Sequence, residues 1–580
     1  MTTLRPLALS LVSLATPAAA FAQADALLDH IPADAPLYVL IPDALEMVGE
    51  VREFLAATGQ AEAGQVVAVA KGVMETPGIG NGVALLITEP LDPFAGVEAE
   101  GVILVEVDNY GQMSKALGGG DADANGVAEI NMFGESFFVR DGGRGVAIIG
   151  MDAESVGEFE PAVGLADAHR ARLGSLGDTL LENHVSIVTY MPAVADGLKQ
   201  LVAMGRGQLQ DMALMMGPQG AIFQEDMVFE PTGAFLDQAE ATTVGMTFSD
   251  AGVFIDVSAQ FKEGSEIGGF FADGGSTKGL LNRVPDEDFL FAAASDSSSE
   301  SYQRFMDKAE EFGAAITEAI GEGGDASSPD LLEPAGGARE ATLVARNPQG
   351  IMAGMLVRSV RYIDAERPQD LIDRAETKAQ QMVNEETKAG PFTIEASLSS
   401  AGTVAGVEAK QFRLGMIADP GDPTSFQAAQ GLQMMYGFAR GPAGYIAPAE
   451  SGVVQTLTAG DTGRLEQALA VANSGKGLGS GDRLGPASDM LPDNRIFEGY
   501  MELDTLYQEI IPLAGMFLGE LPFDAPADLP PLGMSVSTGG GGMFARVALP
   551  ASFVEWTINT AEALDAADAL GAPGGGAPQF

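Results

Sequence analysis

Short apolar runs alternate with amphipathic stretches along the whole chain. Leu37 to Ile41 (Leu-Tyr-Val-Leu-Ile) is a continuous apolar run entered from Pro36, which predicts a buried strand with an extended entry. Asp43 follows as an N-cap, and Glu46 three residues later completes a capping box. Leu45, Val48, Val51, Phe54 and Leu55 then fall on one face at helical spacing, which predicts an amphipathic helix from Asp43 to Ala57.

The same writing recurs twice. Val284-Pro285-Asp286-Glu287-Asp288 leads into Phe289 to Ala294, and Ser297 with Glu300 forms a capping box before a helix from Tyr302 to Ile320. Leu491-Pro492-Asp493-Asn494 leads into a strand from Ile496 to Leu503, with Asp504 capping a helix from Leu506 to Leu518. Hairpins recur as well. One spans 137–149 around Asp141-Gly142-Gly143, and a comparable pair spans 436–457 around Glu450-Ser451-Gly452. Strand 185–190 precedes a helix from Ala193 to Gly217. Hairpin 242–258 has Gly252 at its turn, and hairpin 532–548 turns at Gly539 to Gly542.

Order is the stronger signal. Strand 37–41 corresponds to 289–294, hairpin 137–149 to 436–457, strand 185–190 to 496–503, and hairpin 242–258 to 532–548. The expectation is an α+β protein of two related lobes, with mixed or antiparallel sheets, packed helices and an internal duplication. The lobes are placed at 23–277 and 278–570, with Gly274-Gly275-Ser276 near the junction. Chance matches within one long chain of strands and helices are the alternative. Gly321 to Gly337, Asn473 to Ala487 and Pro522 to Pro531 read as loops, and 571–580 as a flexible tail.

The Pro-acidic-strand-helix openings and glycine-turn hairpins resemble large exported bacterial proteins of unknown function built from strand–helix units. The resemblance spans most of the chain and rests on pattern. It implies a periplasmic or surface location and assigns no activity.

The start of the chain agrees with that address. Arg5, the apolar run Leu7 to Ala15 and the small-residue site Ala20-Phe21-Ala22 have the three parts of a secretory signal peptide over residues 1–22. The run is too short to span a bilayer, and no later stretch reaches the length that spanning requires. The expected product is periplasmic or secreted, without an integral membrane segment once the signal is removed.

Composition narrows the chemistry. Among 580 residues there is no Cys, so disulfides, thiolate metal sites and Cys nucleophiles are excluded. Asp+Glu number 81 against 31 Lys+Arg, a net charge of -50. Such a surface repels phosphate backbones, so no nucleic-acid partner is expected. At this length roughly three or four domain equivalents fit, and a core large enough to dispense with disulfides.

The sharpest local motif is Asp121-Ala122-Asp123-Ala124-Asn125-Gly126. Oxygen ligands at alternate positions followed by Gly begin a calcium loop, and Glu129 stands at the ninth position. The candidate metal set is therefore Asp121, Asp123, Asn125 and Glu129, with calcium as the ion. Met132 occupies the place of the bidentate Glu, and an Asn-Gly turn into a strand is the competing reading. Met204, Met212, Met215 and Met216 line a helix that reads as thioether ligands for Cu(I) or as flexible core filler. His30, His169 and His184 form no HExxH pair, and no GxSxG elbow occurs. The glycine clusters 78–82 and 477–481 lack the strand-to-helix context of a dinucleotide site and read as loops.

These features converge on an exported, non-catalytic binding or scaffolding protein with a protein or small-molecule partner. No catalytic residue and no organic cofactor is assigned. An exported hydrolase with dispersed carboxylates and a calcium-dependent surface structural protein are the alternatives.

Overall fold

The computed structural model describes residues 20–60, 64–88, 101–132, 135–216, 229–308, 331–332, 337–350, 353–384, 388–389, 392–418, 425–437, 441–458, 460–518 and 526–569. The expected tail 571–580 and most of the expected signal peptide lie outside the described residues. The strands in chain order begin with β1 (Leu37–Ile41), β2 (Ile79–Ile87), β3 (Gly101–Val107), β4 (Ala128–Met132), β5 (Glu135–Gly143), β6 (Val146–Gly150), β7 (Val185–Tyr190), β8 (Ala239–Ser249) and β9 (Gly252–Phe261). They continue with β10 (Phe289–Asp296), β11 (Arg339–Ala345), β12 (Ser359–Asp364), β13 (Lys388–Ala389), β14 (Phe392–Val404) and β15 (Val407–Ala418). The last are β16 (Ala443–Ala449), β17 (Gly452–Thr456), β18 (Phe497–Met501), β19 (Leu532–Gly539) and β20 (Gly542–Pro550).

The chain forms two compact units. One comprises residues up to Ala272 together with Thr538–Glu555; the other comprises Asp273–Ser537 and residues from Trp556 on. The expected boundary leaves 538–555 with the second half of the chain, whereas in the structure this segment carries β20 into the first unit.

In the first unit the strand order is β4-β5-β6-β3-β2-β1-β7-β8-β9-β20, every pair antiparallel. In the second it is β13-β14-β15-β16-β17-β12-β11-β10-β18-β19, again antiparallel throughout. The fold is therefore mixed α+β with antiparallel sheet. The stretch β4-β5-β6-β3-β2-β1-β7-β8 of one unit matches β15-β16-β17-β12-β11-β10-β18-β19 of the other, strand for strand in chain order.

Around β1 and β2 both faces of the first sheet are covered by helices. Tyr38, Leu40, Ala84, Leu86 and Leu104 point to the side packed with Leu27, Leu28 and Leu173. Their neighbours Val39, Ile41 and Val83 point to the other, against Met47, Val48 and Val51 of the helix Ala44–Ala57. Burial on two faces is why β1 and β6 read as unbroken apolar runs rather than alternating ones. Each large aliphatic side chain so buried contributes about 1.5–3 kcal/mol.

Local signals place many elements where expected and misplace a few. Asp43 caps its helix by accepting from the Glu46 N–H at 3.0 Å. The cap at the next opening is Ser299, which accepts from the Tyr302 N–H, while Ser297 is tied to the Ala338 backbone. Asp504 lies inside the first turn of the helix Leu503–Leu518, whose cap position is held by Glu502. The expected strand start at Tyr436 is instead the end of the helix Ser425–Tyr436. Gly80 and Gly82 belong to β2, not to a loop: a Cβ at Gly82 would meet Leu27 Cδ1 at 2.8 Å.

Candidate functional site

A cavity of about 460 Å3 opens in the second unit. Three neighbouring antiparallel strands bring residues to it from one end of the sheet. Asp288 precedes β10, Arg346 follows β11 and Glu502 follows β18. Asp482 and Arg483 come from the loop before β18, and Leu529, Pro530 and Pro531 from the extended segment before β19. Asp528, at the rim, adopts a left-handed φ of 56°.

Arg483 organises the cavity. It reaches Glu502 at 2.7 Å, Asp288 at 3.1 Å and Asp286 at 3.2 Å. These carboxylates hold its guanidinium above its ordinary pKa against the desolvation that opposes it. Glu502 is 5% exposed. Burial pushes its pKa up, while hydrogen bonds from Phe289 N–H, Arg483 and Thr505 pull it down. Its Oε2 accepts from Phe289 N–H at 3.0 Å and from Thr505 Oγ1 at 3.1 Å, and Oε1 takes Arg483. Arg346 pairs with Glu509 at 2.8 Å.

The lining thus holds five carboxylates against two arginines, and both arginines already face carboxylates. A cation entering here would meet Asp482, Asp504 and Asp528, which form no ion pair among the described residues. As a proton donor Glu502 is poorly placed, because both oxygens already accept hydrogen bonds.

The sequence singled out other places. Asp121, Asp123 and Asn125 lie on an exposed turn. Asp123 Oδ1 accepts from the Asn125 N–H at 2.8 Å and the Val127 N–H at 2.9 Å, so it closes the turn on itself. Glu129 lies on β4 and accepts from Ser136 Oγ at 2.6 Å. No group of three or more His, Cys, Asp or Glu side chains suited to a metal occurs among the described residues.

The histidines bond to backbone and tyrosine. His30 Nδ1 lies 3.2 Å from the Ala162 carbonyl. His169 bridges the Tyr190 hydroxyl at 2.5 Å and the Ile31 carbonyl at 3.0 Å, and Tyr38 stands edge-on to it. His184 Nδ1 accepts from the Phe248 N–H at 3.1 Å. The Met-rich helix is Met191–Met216, with Met204 exposed; the side chains of Met212, Met215 and Met216 lie outside the described residues.

No sequence motif marks Glu502 or Arg483. Their only local signal is the acidic triplet 286–288, whose partners lie about two hundred residues further on. No protein-family model matches the chain, and no curated protein or solved structure matches it either.

Proposed function

We propose that the protein is an exported, non-catalytic binding protein made of two related α+β lobes, and that the cavity around Arg483 takes a positively charged organic ligand. The carrying observation is the pairing pattern. Among the described residues, both arginines of the cavity are engaged by carboxylates, whereas Asp482 and Asp528 are exposed and form no ion pair.

Two further observations support the surrounding reading. The shared strand order favours duplication over chance, since eight strands keep the same neighbours and the same chain order. Ala24, Leu27, Leu28 and Ile31 are all buried and all follow Ala22, so a chain cut there keeps these four core residues.

The test is calorimetric titration of the full chain with spermidine as probe. Saturable binding, weakened tenfold or more in Asp482→Asn/Asp528→Asn, is expected. Equal heats in both proteins would mean that the amine only screens an acidic surface, and the assignment would fail.

A further inference from the structure

The second unit ends on an edge strand with little to protect it. β14 pairs along its whole length with β15, but on its other side only Phe392 and Thr393 find partners, in the short β13. From Ile394 onward no strand among the described residues pairs on that side. Exposed edges of this kind are usually guarded by charged side chains, Lys above all, by Pro or by an early bulge. The segment 392–400 (Phe-Thr-Ile-Glu-Ala-Ser-Leu-Ser-Ser) carries one charge, Glu395, and no Lys or Pro, and the irregularity in its ladder comes only between Ser400 and Gly402.

The two faces of this edge differ. Ile394 and Ala396 are buried and Leu398 is partly buried under the helix Pro368–Asn384, against Leu371, Ala375 and Met382. Glu395, Ser397 and Ser399 are exposed on the opposite face. An added strand must therefore present apolar residues at every second position toward the helix.

We propose that the occupant is β14 of a second copy of this chain, paired antiparallel about Ala396. Residues directly opposite in an antiparallel pair share a face. About Ala396, Ile394 stands opposite Leu398 of the other copy, so both apolar rows extend the layer under the helix. Glu395, the one charge between 392 and 404, stands opposite Ser397 rather than another Glu. Centring the pair on Glu395 would oppose like charges, and centring it on Ser397 would set Ile394 against Ser400. A chain with a net charge of -50 also opposes its own association at long range, so dimerisation strengthens with salt.

The experiment is light scattering coupled to size exclusion on the full chain, up to roughly 100 micromolar, which populates dimers of micromolar dissociation constant, at low and physiological salt. A doubled mass that grows with concentration and salt is expected. Ser397→Glu should weaken the dimer roughly tenfold, because the dyad creates two Glu–Glu oppositions. Within one chain the new carboxylate faces Arg413, so the fold tolerates it. Adding Glu395→Lys to Ser397→Glu should restore the dimer through Lys–Glu pairs. A monomer under all conditions, or a dimer indifferent to Ser397→Glu, overturns the proposal.

Discussion

Asp256 is fully buried on β9, and Arg546 of β20 meets it with two parallel bonds at 2.6 and 2.7 Å. Asn183 donates a third at 2.8 Å. Such a pair adds little over an apolar replacement of both members, but removing one leaves an uncompensated charge. Arg546→Leu should therefore destabilise the chain by about 3–5 kcal/mol in urea unfolding, and Asp256→Leu/Arg546→Leu by clearly less. If the double variant is as unstable as the single one, the pair is more than an isolated charge lock. His184 gives a second residue-scale expectation. It is buried among apolar groups, and desolvation pushes its pKa down to about 4. Above its ordinary value of 6.5 the ring is neutral in folded and unfolded chains alike. As pH falls from there toward 4, only the unfolded chain takes the proton, so stability declines by roughly 3 kcal/mol. His184→Phe should flatten that part of the stability–pH curve; an unchanged slope would assign the acid sensitivity elsewhere. Neither role is written locally in the sequence, because both depend on what packs around the side chain.

At the scale of elements, local chemistry fixes a helix start only when one residue can act as cap. Asp43 stands alone before its helix, and removing it in Asp43→Ala should cost about 1 kcal/mol of stability, read as a lower denaturation midpoint. Before the helix beginning near residue 300 the chain offers Asp296, Ser297, Ser298 and Ser299, all competent caps. The choice falls to Ser299 because Asp296 still belongs to β10 and Ser297 is held across the sheet by Ala338. Met434-Met435-Tyr436 is similarly ambiguous: a short apolar run suits helix or strand equally, and only its neighbours decide. Gly444 shows the opposite case, where pairing dictates the residue. A Cβ there would lie 1.7 Å from the Thr456 carbonyl oxygen, so Gly444→Ala should disrupt the β16–β17 pairing and lower the midpoint of thermal unfolding by several degrees. The calcium-like loop belongs to this scale as well. Asp123 already serves its own turn, so calcium should bind on the order of millimolar at best. Calorimetry should find equal, small responses in the parent chain and Asp121→Ala; micromolar binding lost in the variant would mean that the loop rearranges around the ion.

For the whole molecule, charge and strand connectivity carry the argument. A net charge of -50 repels itself most in the compact state, so the unfolding temperature should rise from about 0.01 M to 0.5 M NaCl as the screening length shrinks. A flat response would show that the charges are locally neutralised. The sequence by itself determined the alternation of strands and helices, the α+β class, and the order in which matching landmarks recur. These are local: period-2 and period-3.6 patterns, caps and glycine turns act within a few residues. The glycine-turn hairpins were legible in the same way, whereas tertiary structure alone decided which strands far apart in the chain lie side by side, that β20 joins β9, and that Glu502, Arg483 and Asp288 converge on one cavity. Antiparallel strands of similar apolar pattern can pair in many orders, and the winning order rests on packing summed over residues hundreds of positions apart.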